Sequence, residues 1–154
     1  MIRLMFRLGV ALLLLRNTLL GLETNAGKDW RAGVMGSTSS TGTGSYAPMT
    51  WVALTANATA PAAGDTTLTA EITTAGGGLV RKQSTYAHTA GTSSYTQTTT
   101  FTANGSDSLP VTIAKRGVFN ASSAGTLGYE ALVSPTATLS ASGDQLTLTD
   151  TYNL

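Results

Sequence analysis

Along most of the chain beyond residue 79, apolar side chains recur at every second position. In Ser94–Ala103, Tyr95, Thr99 and Phe101 are set for one face, and Ser94, Thr96, Thr98, Thr100 and Thr102 for the other. Gln145–Leu154 repeats the arrangement, with Leu146, Leu148, Tyr152 and Leu154 opposed to Thr147, Thr149 and Thr151. A period of two marks a strand buried on one side. The same reading predicts strands over Leu79–His88, Leu109–Lys115, Val118–Asn120, Thr126–Val133 and Thr136–Ser140. Turn chemistry separates them at Ala90-Gly91, Asn104-Gly105, Asn120–Gly125, Ser134-Pro135 and Ser142–Asp144. Gly117 interrupts the alternation begun by Val111 and Ile113, which predicts a bulge or bend there. The set predicts a β-meander closed into an all-β antiparallel sandwich, Ig-like or jelly-roll-like.

Ahead of the meander, Thr50–Ala56 predicts a strand apolar on both faces, Trp51 and Ala53 on one and Val52 and Leu54 on the other. Thr66–Ile72 predicts one or two helical turns capped by Asp65, and Gly76–Gly78 a reversal of direction. Ser37–Ser45 is low in complexity and predicts a flexible loop. Glu23–Gly36 carries the densest charge, Lys28, Asp29 and Arg31 around Trp30, and reads as a solvated connector with one anchoring Trp.

Met1–Leu22 predicts an apolar helix, with Arg3 and Arg7 before the run Leu8–Leu15. A run of about 8 apolar residues covers roughly 12 Å as helix, against ~30 Å of hydrocarbon, so no membrane span is expected. A basic start before such a run is also the layout of a signal peptide. Arg16 closes the run early, however, and Thr24-Asn25-Ala26 is a poor cleavage site. Arg7 and Arg16 fall on opposite sides of the helix, so it has no single polar stripe. Three parts result: an anchor over residues 1–22, a connector over 23–45 and a β domain over 46–154. The expected anchor contacts are Leu8, Leu12, Leu15, Leu19, Leu22 and Trp30.

Composition narrows the function. Charged residues are only 11% of the 154, against about 25% in soluble domains, and hydroxyls take their place. A net charge of +1 provides no field to steer nucleic acid, which is not expected as a partner. Cysteine is absent, so disulfides and thiolate metal sites are excluded. Outward rows of Thr with few Lys leave sheet edges weakly protected, which predicts symmetric self-association.

The residues carry little chemistry. His88 is the one histidine and is expected to hydrogen-bond at a strand end. Asp65, Glu71, Asp107, Glu130, Asp144 and Asp150 never cluster in sequence, and most of them sit in turns, where carboxylates cap backbone. A glycan-degrading enzyme would have to draw on residues such as Glu130 or Asp144. Gly76–Gly78 lacks the Lys-Ser/Thr of a phosphate loop, and the N-x-S/T matches at Asn57, Asn104 and Asn120 arise readily in so Ser/Thr-rich a chain. Trp30, Tyr46 and Trp51 could stack on a sugar, though aromatics more commonly anchor a core. No cofactor and no metal are expected.

Five segments in order, Trp51–Thr55, Ala60–Leu68, Thr85–Thr89, Thr100–Ala103 and Ile113–Asn120, resemble a family of small tailed-bacteriophage virion proteins, tail-fibre-like or head-fibre-like. The resemblance runs from about residue 51 to 154, and Arg116 stands where the pattern has an apolar residue before Gly-Val-Phe. It implies a non-enzymatic structural protein of the virion and no catalytic residues. The expected partners are further copies of the chain, a trimer being one arrangement that fits, and other capsid or tail proteins; a host-surface glycan is a candidate ligand. The competing expectation is an exported bacterial adhesin or pilus-like subunit at the cell surface. For that class the N-terminus would be removed, which intact mass reads directly, and loss of ammonia would mark a Lys–Asn crosslink at Lys82 or Lys115.

Overall fold

The computed structural model describes residues 22–29 and 47–153. The expected helix before Leu22, the expected contacts Leu8, Leu12, Leu15, Leu19 and Trp30, and the Ser/Thr/Gly-rich loop lie outside the described residues. Alternating residues form the strands β1 (Leu22–Glu23), β2 (Trp51–Thr55), β3 (Lys82–Gln83), β4 (Thr85–His88), β5 (Ser94–Thr102), β6 (Val111–Phe119), β7 (Leu127–Leu139) and β8 (Gln145–Asn153). They make a five-stranded sheet ordered β1-β7-β6-β2-β3 and a three-stranded sheet ordered β4-β5-β8, every pair antiparallel. The fold is an all-β antiparallel sandwich, as the alternation predicts.

The connectivity departs from a simple meander. Only β4–β5 and β6–β7 are paired neighbours in both sequence and space along the meander; β8 returns to β5, and β6 lies between β7 and β2. Alternation specifies which face of a strand is buried but not which strand lies beside it. The single strand expected over residues 79–88 is divided, with β3 in the larger sheet and β4 in the smaller. Conversely, the pieces expected on either side of Gly117, and of Ser134-Pro135, are the continuous strands β6 and β7. Gly117 stays in register between Ala53 and Glu130. The irregularities lie elsewhere: Ala114 faces residues 133–136 of β7, between the pairs Ile113↔Ala137 and Lys115↔Leu132, and a second shift follows Val118.

Between the sheets lies a core of Val52, Leu54, Leu79, Phe101, Ile113, Val118 and Leu139, bordered by Leu146 and Leu148. Val52 and Leu54 point into it, while Ala53 and Trp51 point the other way, into a second cluster with Leu68, Phe119 and Leu127. The larger sheet is therefore covered on both faces, as the doubly apolar β2 requires.

The outer cover comes from segments expected to be helix or connector. Residues 66–72 are not helical: Ile72 N–H donates to Leu54 O at 2.9 Å, and Thr55 Oγ1 donates to Thr69 O and Ala70 O at 2.8 and 2.9 Å. Bonds to β2 replace the helical ones, aided by the β-branched Thr66, Thr67 and Thr69, which favour extended backbone. Asp65 accepts from the preceding Ala62 N–H at 2.8 Å and caps no helix. The chain is also already within the fold at residue 22, where β1 adds to the edge of β7. Thr24, buried, donates from Oγ1 to Leu127 O at 2.6 Å and accepts the Gly27 N–H at 3.0 Å, capping the helical turn at 25–29. A side chain at Gly27 would collide with the Gly128 carbonyl, so glycine allows this close approach.

Candidate functional site

The smaller sheet presents its hydroxyl rows outward. Across β5 and β8, Thr96, Thr98 and Thr100 oppose Thr151, Thr149 and Thr147. The hydroxyls of Thr98 and Thr149 meet at 3.2 Å, and those of Thr100 and Thr147 at 2.9 Å. Cross-strand Thr pairs of this kind contribute roughly 0.2–1 kcal/mol each. On the larger sheet Thr112 and Thr138 make the same bond at 2.9 Å. Among the described residues nothing pairs with the outer side of β8, a nine-residue edge carrying no Pro, Lys or Arg.

The inner row of the same sheet changes character along its length. From apolar Phe101 and Leu146 it passes to Thr99, Gln97 and Asp150, then to Tyr95 and Tyr152. Arg116, inward from β6, meets Asp150 with Nε to Oδ2 at 3.2 Å and with Nη2 on Oδ1, an ion pair that ties the sheets together. The inward charge is matched by a carboxylate on the opposing sheet. Gln97, beside Asp150 in register, donates Nε2 to Met49 O at 3.0 Å. Tyr152 stacks on Tyr95 at 4.8 Å and meets the edge of Tyr129 at 5.6 Å. Tyr86 follows at 5.4 Å from Tyr95, 59% exposed, and His88 stands 6.5 Å from Tyr86. Burial raises the phenols of Tyr152 and Tyr95 above their ordinary values, and the neighbouring tyrosines add to this.

The remaining ionised groups also hold the fold. Arg81 grips Glu71 through Nε and Nη2 at 2.9 and 2.7 Å, and Nη1 donates to Ala121 O and Ala124 O at 2.9 and 2.8 Å. Its guanidinium lies 3.6 Å from the centre of the Phe119 ring, at the floor of a cleft of about 470 Å³. Lys115 and Glu130 pair at 3.2 Å on the outer face of the larger sheet. Asp107 accepts the N–H groups of Asn104, Gly78 and Leu79 at 2.8, 2.9 and 3.3 Å, and Asp144 those of Ser140 and Ala141 at 2.6 and 2.9 Å. The side-chain oxygens of Asn57, Asn104 and Asn120 accept local backbone N–H groups. His88 Nδ1 lies 2.9 Å from Ser94 O, at the end of β4. Among the described residues no three His, Asp or Glu could hold a metal ion, and no helix is long and apolar enough to cross a membrane.

Of the expected anchor residues, Leu22 alone is described, exposed in β1 beside Glu130. Of the three aromatics considered for sugar stacking, Trp51 packs in the outer cluster, and Trp30 and Tyr46 lie outside the described residues. The sequence pattern marks neither the inward Arg116–Asp150 pair nor the tyrosine row. Parity could have marked Gln97 with Thr99, and Asp150 with Leu148, as inward polar residues; no local pattern marks Arg116. The chain matches no protein-family model and no curated protein.

Two consequences can be measured. Replacing Asp150 by Ala strands the Arg116 charge between the sheets and costs about 3–5 kcal/mol in denaturant unfolding, whereas Arg116→Met with Asp150→Leu is near neutral. The raised Tyr95 and Tyr152 values favour the protonated phenol in the fold. Their contribution is full below the unfolded value of about 10 and is lost as pH climbs past it. The denaturation midpoint therefore falls above about pH 10, and Tyr152→Phe flattens that fall.

Proposed function

We propose that this chain is a non-enzymatic structural protein of a tailed-bacteriophage particle, a surface β domain of the tail-fibre or capsid-decoration type that assembles with itself and is anchored through its leading apolar segment. The observation that carries this reading is the open edge of β8. Its outward row, Gln145, Thr147, Thr149, Thr151 and Asn153, is exposed and has the same chemistry read in either direction. A two-fold axis through Thr149 would set Thr147 of one copy against Thr151 of the next, amides against amides at the ends. The hydroxyl ladder of β5 and β8 would continue into the second copy, and the unpaired backbone groups of the edge would be satisfied. The inner row lacks this symmetry and stays turned toward its own core. The ionised groups described above serve ion pairs and turns, the use expected of a building block.

Burial of Leu8, Leu12, Leu15 and Leu19 against capsid, tail or sister subunits supplies the driving force at about 25 cal/mol per Å² of apolar surface. Because residue 22 already pairs in the larger sheet, the test removes residues 1–21 only. The truncated chain should remain folded by circular dichroism and be missing from purified particles; normal incorporation rejects the anchor. In the full chain, Thr149→Lys with Thr151→Lys should convert a dimer into a monomer in sedimentation. A wild-type monomer or trimer, or a dimer indifferent to these lysines, rejects the two-fold edge.

A further inference from the structure

Lys115 and Glu130 sit on adjacent strands with side chains only 3% and 1% exposed. Lys115 pairs with Leu132 and Glu130 with Gly117, so the two are diagonal neighbours on one face, within reach of long side chains. Nζ lies 3.2 Å from Oε2, while Oε1 has no hydrogen-bond partner among the described residues. Over this face lies the segment that contains Asp65, tied to the turn at 25–29 by Asn25 N–H to Ala63 O at 2.8 Å; within the segment Ala62 N–H donates to the Asp65 carboxylate at 2.8 Å. The Asp65 carboxyl acts on that of Glu130 from this segment. Burial raises the Glu130 value, the Lys115 amine opposes this, and Asp65 raises it further.

We propose that Lys115 and Glu130 condense into an intramolecular amide that staples β6 to β7, with Asp65 as the proton carrier. In so dry a place two full charges are costly, and moving the proton from Nζ to the carboxylate leaves a neutral amine touching a neutral acid. The Nζ lone pair attacks Cδ, forming the C–N bond and pushing the carbonyl electrons onto oxygen. The Asp65 carboxylate removes a proton from the nitrogen and delivers it to the departing hydroxyl. The C–O bond breaks, the carbonyl re-forms and one water leaves; Asp65 returns to its starting state, and no oxidant or activating group is consumed. The product replaces two buried charges and an orphaned oxygen with one neutral amide. A Lys–Asn crosslink at Lys115, the mark of the competing adhesin class, would release ammonia; the neighbour found there is an acid, so water is released instead.

Intact mass of the purified full-length chain under denaturing conditions tests this. The wild type should fall one water below its sequence mass, and Lys115→Met and Lys115→Arg should each sit at theirs. Peptide mapping should join the Lys115 peptide to the Glu130 peptide, and Asp65→Asn should leave a mixture of linked and unlinked chains. A wild-type mass equal to the sequence overturns the proposal. So does water loss that persists without Lys115, a link to Asp65 in place of Glu130, or complete linkage in Asp65→Asn.

Discussion

The central constraint on this structure is that the larger sheet must be covered twice. Its strand β2 is apolar on both faces, with Val52 and Leu54 turned to one core and Ala53 and Trp51 to another. The smaller sheet covers the first face. The second falls to residues 22–29 and the segment leading to Leu68, neither of which forms a regular layer of its own. That irregular cover explains why Thr55, Thr24 and Arg81 bond so heavily to carbonyl groups: a loop laid over a sheet must have its backbone satisfied by side chains and neighbours.

Charge is scarce and is spent inside. The three described ion pairs each join segments distant in sequence: Arg81 to the loop around Glu71, Lys115 on β6 to Glu130 on β7, and Arg116 across the sandwich to Asp150. Truncating one member of such a pair leaves the other buried and uncompensated, so these contacts specify register more than they add net stability. Thr covers the outside instead. A hydroxyl can hydrogen-bond to a neighbour or to water with little preference, as the cross-strand Thr pairs show.

This division of labour connects the assembly reading with the buried Lys115–Glu130 pair. The contacts between β6 and β7, the Lys115–Glu130 pair among them, resist separation of the two strands. The open edge of β8 lies on the other sheet, so that edge and the internal pair are separate features with separate chemistry.

The sequence by itself determined which stretches are extended and which of their faces are buried, but not every strand boundary: β6 and β7 run on through Gly117 and Ser134-Pro135. Alternation at β5 and β8, the double apolar faces of β2 and the Gly76–Gly78 reversal are local consequences of side-chain size and polarity. Tertiary structure alone decided the partners. Every strand of Thr and Leu offers the same alternating rows, so nothing local tells β8 to join β5 or divides residues 79–88 between two sheets. The loop at 66–72 keeps one turn bond of its own, Glu71 N–H to Leu68 O, and is otherwise bonded to β2, whose Leu54 carbonyl and Thr55 hydroxyl stand within reach. Arg116 and Asp150 are ordinary charged residues until the sheets close, when both are largely buried and each compensates the charge of the other.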